Sequence, residues 1–164
     1  MGLVVQGLGH WNVYGPRIIR WRLNGPGRSD QFRSLTQLSR AVEPVAASLS
    51  ARDATDAQHT RIAELAVDLR RFGEASVLVD YLAADIEFHH LILVASGIDM
   101  FCALREVITE VLSGRTHQGL MPRTPRPHPL DTHEQVAHAI RDGDAATAEA
   151  GMAWSLAEVS SAVS

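Results

Sequence analysis

Lysine is absent from this sequence; all fifteen basic residues are arginine. Cysteine occurs once, at Cys102, which excludes an intramolecular disulfide framework and any multi-cysteine zinc or iron–sulfur site. No apolar run approaches the ~18 residues that a membrane span needs. The N-terminus lacks the basic patch, apolar stretch and cleavage site of a signal peptide. Positive charge is not in excess either: the net charge is −4. That balance argues against the chain gripping nucleic acid by itself. A soluble, cytoplasmic protein with no membrane partner is expected.

What is present fits one domain with a short appendage, because 164 residues bury roughly 70% of the unfolded-chain surface without staples. The first thirty residues are Gly-rich and poor in helix formers, apart from a short helical stretch at Arg17–Leu23 closed by Asn24–Gly27. From Ser34 onward the pattern is helical. Ser34 reads as the N-cap of a helix to about Arg52, with Leu35, Leu38, Val42, Val45 and Leu49 as its apolar stripe. Pro44 should kink or restart it.

Further helices are expected from Asp53–Asp56 to Gly73, from Ala75 to Gly97 and from Met100 to Leu112. After the Pro-rich loop GLMPRTPRPHPLD, Asp131 and Asp144 should cap the last two. The expected fold is all-α, an antiparallel bundle of about six to seven helices.

The densest chemistry is DIEFHH, Asp85 to His90, within the longest helix. Asp85 and His89 lie four residues apart, so their side chains project from one face and can share a divalent cation or hydrogen-bond each other. His90 points about 100° away. His133 and His138 are further candidates to converge. A solvated polar pair is the plain alternative, but Leu82, Ile86, Leu93 and Val94 make this helix apolar over much of its circumference. A carboxylate among them needs a partner.

Other arrangements carry less. There is no G-x-S-x-G turn for a hydrolase triad and no G-x-G-x-x-G opening a helix after a strand. Cys102 lies among Phe101, Ala103 and Leu104 as a core residue, and Trp11, Trp21 and Trp154 read as packing or interface anchors.

The order of the motifs carries a resemblance. LTQLSRAVEPVAASLSA (Leu35–Ala51), DIEFHHLILVASG (Asp85–Gly97) and THEQVAHAIRDGDAATAEAGM (Thr132–Met152) together resemble the FCD domain. That is the helical effector-sensing domain of the FadR branch of GntR-type transcriptional regulators. The likeness covers about Ser34 to Val159. The stretch from His10 to Leu23 resembles the linker that joins the family's winged helix-turn-helix to its sensor, with MGLVVQGLG as the end of the wing. Residues 1–30 then read as a remnant of wing and linker to a missing DNA-binding domain, and 31–164 as the sensor. DNA would be a partner only through that missing domain.

The resemblance implies a divalent metal held by one Asp and three His, with an organic acid bound against it. Carried over, the Asp is Asp85 and two of the His are His89 and His133. The third falls on Ser155, which weakens a site for Zn²⁺, Ni²⁺ or Mn²⁺. The family often has Arg where Ser39 stands, able to meet a ligand carboxylate. The family's S-G-N reads S-G-I here, with Ile98 in place of Asn. Arg105 is then a candidate to supply the positive charge.

Three readings follow from the resemblance and the residues. The first is a homodimeric sensor of a small carboxylate. The second is a dimerisation-only module with a degenerate pocket. The third, an enzyme using the Asp85–His89–His133 cluster, lacks an evident general base.

Overall fold

The computed structural model describes residues 7–117 and 127–161, and all regular elements within them are helical. A short 3₁₀ turn, Leu8–His10, precedes α1 (Pro16–Leu23). Pro16 suits a first turn, where the missing N–H would have no intrahelical partner. The remaining helices are α2 (Arg28–Asp53), α3 (Asp56–Glu74), α4 (Leu78–Ala95), α5 (Asp99–Cys102), α6 (Arg105–His117), α7 (Pro127–Arg141) and α8 (Ala145–Ser161). Eight α-helices among the described residues thus replace the six to seven expected. Of Met1–Gly9, expected to be the end of a wing, the first six residues lie outside the described residues, as do residues 118–126 of the Pro-rich stretch.

Several expected boundaries move. α2 starts at Arg28, so Ser34 lies inside the helix and caps nothing, and the helix runs through Pro44 unbroken. Its buried face also differs from the apolar stripe. Of Leu35, Leu38, Val42, Val45 and Leu49 only Leu35 is buried, and Val45 is 41% exposed. The buried row is Gln31, Leu35, Ser39 and Glu43, four residues apart, continuing into Ala46, Ala47, Ser50 and Ala51. Small residues there admit the neighbouring helices closely, and polar ones face inward for a reason given below.

The expected single helix Met100–Leu112 is two, α5 and α6, separated at Ala103 and Leu104. α3 opens on a capping box in which Thr55 and Gln58 satisfy each other's backbone N–H. At α8, Asp144 Oδ1 accepts from the Thr147 backbone N–H at 3.0 Å, as its sequence position predicts.

α2 is the central element: α8, α4 and α7 pack around it, and α3 closes over α4 and α7. The main core joins Ile62, Leu65 and Leu69 of α3 to Phe88, Ile92 and Leu93 of α4, Val136 and Ile140 of α7, and Met152 of α8. A second, smaller core forms where α1 and the start of α2 meet α6, through Ile19, Leu23, Phe32, Leu35, Val107 and Val111. The turn between α7 and α8 needs Gly143, at φ +72°. Those two helices also approach closely at Gly151, where an added Cβ would stand 2.9 Å from Val136 Cγ2.

On the outer face Arg70 of α3 reaches both Glu134 (2.5 Å) and Asp131 (2.6 Å) of α7. Hydrogen bonding and charge from Arg70 hold the Glu134 carboxyl below its ordinary pKa. A depressed carboxylate pKa gives stability that is present above the unfolded value, about 4.3, and lost as pH falls through the folded one. Arg70→Ala should therefore lower stability by about 1 kcal/mol at neutral pH. In denaturant melts the gap from the parent should narrow below about pH 4; a gap independent of pH would exclude this pair as its source.

Candidate metal centre

Three helices bring four ionisable side chains into the main core. α4 supplies Asp85 and His89 one turn apart, α7 supplies His133, and α2 supplies Glu43. All four are buried, at 5%, 3%, 7% and 2% exposure in that order. The i,i+4 spacing sets Asp85 and His89 on one face of α4, and α4 turns that face inward. The solvated pair is thereby excluded.

The geometry converges on Asp85 Oδ1. His89 Nε2 stands 3.5 Å from it and His133 Nε2 3.2 Å from it. One ligand atom from each of the three residues fits within a span of 4.8 Å. Although two imidazole nitrogens flank it, Asp85 Oδ1 is fully buried without a completed hydrogen bond. Such an oxygen is costly to bury unless something else meets it. Phe88 lines the floor, its ring edge-on to both imidazoles at centroid distances of 5.8 and 5.2 Å.

Glu43 was not among the residues singled out from sequence. Its Oε2 makes a short contact with His89 Nδ1. That contact orients the ring and leaves Nε2 turned toward Asp85, which is how a carboxylate behind a histidine prepares it as a ligand. The signal for Glu43 lay in the i,i+4 row with Ser39 on α2. Its single charge resembled an ordinary exposed helix position.

Electrostatics follow from burial and pairing. Burial by itself pushes the Asp85 carboxyl up, but the imidazoles of His133 and His89 outweigh it and hold its pKa far below the carboxylate range. Burial pushes His89 down, yet the charge of Glu43, the nearby Asp85 carboxylate and the short contact with Glu43 raise it to about 10. Without a metal, the neighbouring Glu43 and Asp85 favour the protonated form of His89. With one, the imidazole must yield that proton.

The other expected residues are placed as follows. Ser39 is 1% exposed on the α2 row, and among the described residues its hydroxyl has no hydrogen-bond partner. Ser155 is half-buried on α8. Arg105 is exposed and donates to the Cys102 carbonyl at 3.1 Å, so it is not drawn into the cluster. His138 is exposed as well and does not join it. His90 turns away as helix geometry requires and meets the Arg105 carbonyl and Thr109 hydroxyl of α6 at 2.8 and 2.9 Å. Ile98 occupies the N-cap position of α5 without a side-chain capping bond.

Comparison with known proteins gives a family and a fold. Residues 34–157 match the family described as the FCD domain. Among solved structures, the chain is similar to Streptococcus agalactiae GntR, with a TM-score of 0.68 at 22% identity. The alignment covers 86% of this chain and 63% of that one. No curated protein matches.

Removing the Glu43 carboxylate should strand the buried His89 cation. Glu43→Ala is expected to destabilise the metal-free protein by about 3 kcal/mol, with part of the loss recovered when His89→Ala is added. Urea melts of the four-member mutant cycle check this; strictly additive losses would mean the two groups do not interact.

Proposed function

The chain belongs to the FCD-domain family, and from that premise we propose that it is the effector-sensing domain of a GntR/FadR-type transcriptional regulator, holding a divalent metal and binding a small organic acid against it. The family is one of non-enzymatic regulators, so the site needs to bind and not to turn over. The observation that carries the metal is Asp85 Oδ1, buried without a hydrogen-bond partner between two histidine Nε2 atoms. A carboxylate and two imidazoles suit Zn²⁺, Ni²⁺ or Mn²⁺ and leave coordination positions open for a ligand or water.

Each residue has a task in this reading. Asp85, His89 and His133 would be the ligands, and Glu43 positions His89 while balancing charge. A bound metal supplies a positive centre that a carboxylate can meet. Ser155, at the place of a third histidine, gives the site one protein ligand fewer, which leaves the metal more exchangeable. With no helix among the described residues long and apolar enough to cross a membrane, a cytoplasmic setting suits such a sensor.

The signal in an intact regulator would be differential. Metal and acid tie α4 and α7 together and, through Glu43, engage α2. The N-terminal part of α2 shares its core with α1, the element that leads toward residues 1–15. Tightening the centre therefore biases the packing at α1, where a DNA-reading domain would attach and where a homodimer would set the spacing of two such domains.

Thermal melts of metal-stripped protein test this. Zn²⁺, Ni²⁺ or Mn²⁺ should raise the midpoint by mass action, and Asp85→Ala or His89→Ala should abolish the rise while helical content stays. Glu43→Gln should weaken metal affinity roughly 10–100-fold. A rise that survives both Ala variants would place the metal elsewhere, and no rise with any of the three ions would remove it from the reading.

A further inference from the structure

α3 supplies none of the four side chains of the buried centre, yet its Arg70 grips the helix that brings His133 there. The guanidinium meets Glu134 of α7 as a fork, Nε to Oε1 at 2.5 Å and a terminal nitrogen to Oε2 at 2.6 Å. The same nitrogen donates to Asp131 Oδ1 at 2.6 Å. A longer contact with Glu74, at 3.5 Å, ties the group back to its own helix. Arg70 is 30% exposed, so these bonds are screened less than those of a free surface pair. Among the described residues, Arg20 and Arg61 also join two helices, but each reaches one carboxylate across the gap.

The two carboxylates bracket His133 in sequence and lie across the helix from it. At 100° per residue, Asp131 and Glu134 stand about 60° apart round α7, and His133 lies about 130° from the direction midway between them. On the inner side, α7 is pressed at Val136 against Gly151 of α8, where an added Cβ would stand 2.9 Å from Val136 Cγ2. Apolar packing of this kind seats the helix but is non-directional. Bonds from a rigid, planar guanidinium to two points one turn apart fix its rotation more closely. At a side-chain radius of about 6 Å, turning α7 by about 10° would move the imidazole by about 1 Å. Metal–ligand distances tolerate only about 0.2 Å.

We propose that Arg70 is a positioning residue for the centre: by holding Asp131 and Glu134 it sets the rotation of α7 that keeps His133 Nε2 beside Asp85 Oδ1, 3.2 Å away. The consequence for metal affinity rests on the sensing reading above; the placement of His133 does not. Geometry matters here more than charge, because a lysine ammonium cannot reproduce the planar fork.

The test uses the full chain and reads the histidine rings by nitrogen-15 NMR, metal-stripped and with Zn²⁺. Zn²⁺ affinity is measured by competition with a chromophoric chelator, at a temperature where circular dichroism shows each variant folded. In metal-stripped Arg70→Met the His133 ring resonances should shift, with a smaller change at His89. Zn²⁺ affinity should fall about tenfold. Arg70→Lys should change both readouts in the same direction, since it keeps the charge and loses the fork. Arg61→Met, which removes the α3–α4 pair at Glu87, should leave His133 in place.

A merely structural pair would lower the melting midpoint of Arg70→Met without moving His133 in the metal-stripped protein, and that result would overturn the proposal. So would full recovery in Arg70→Lys, because charge alone would then suffice, or an equal displacement of His133 in Arg61→Met. In a parent that takes up Zn²⁺, an affinity unchanged by Arg70→Met would overturn it too. A parent that takes up no Zn²⁺ contradicts the metal reading alone; displacement of His133 in metal-stripped Arg70→Met then still supports the clamp.

Discussion

A carboxylate from α2 against an imidazole from α4, both buried in the main core, constrains how the centre of this protein can be arranged. The Glu43–His89 contact places a charged pair where an apolar pair would cost less. Its value lies in orientation. With Nδ1 occupied by Glu43, the His89 ring presents Nε2 to Asp85, and His133 arrives from α7 to face the same oxygen. Three helices are thus held to one point by polar chemistry, and the apolar core packs around that point.

The same contact explains why α2 looks unlike an amphipathic helix of the usual kind. Its buried row carries Gln31, Ser39, Glu43 and Ser50 among small apolar residues. Ser50 reaches the Ile92 carbonyl of α4 at 2.9 Å, about two turns along α2 and just under one turn along α4 from the Glu43–His89 contact. α2 and α4 are therefore joined at two levels, and α2 extends from there into the second core with α1 and α6. A change at the centre has a continuous packed route to the N-terminal end of the domain.

Helix content and the order of elements were legible in the sequence because Thr55 and Asp144 cap α3 and α8 and because α4 is apolar over most of its circumference. The inward face of α2 was not. Hydrophobic periodicity favours Val45 and Leu49, whereas burial follows site chemistry and close helix approach at Ala46 and Ala47. Within the centre, Asp85 and His89 stood out from spacing on an apolar helix. His133 came to the fore among several histidines only through family resemblance, since contacts between distant helices leave no local pattern. Glu43 and Arg115 escaped notice because a single charge on a helix reads as solvent-facing until packing shows otherwise. Arg105 lies four residues past Phe101 in sequence, yet α6 places it outside and turns Arg115 in.

Nitrogen-15 NMR of the histidine rings, recorded on metal-stripped protein and again with one equivalent of Zn²⁺, addresses the centre most directly. On metal binding, His89 and His133 should both become neutral rings with Nε2 bound to the ion, and His89 should keep its proton on Nδ1 toward Glu43. The ring resonances of His138 and His90 should stay where they were. Unchanged His89 and His133 resonances, or coordination through His89 Nδ1, would contradict the arrangement described for this centre.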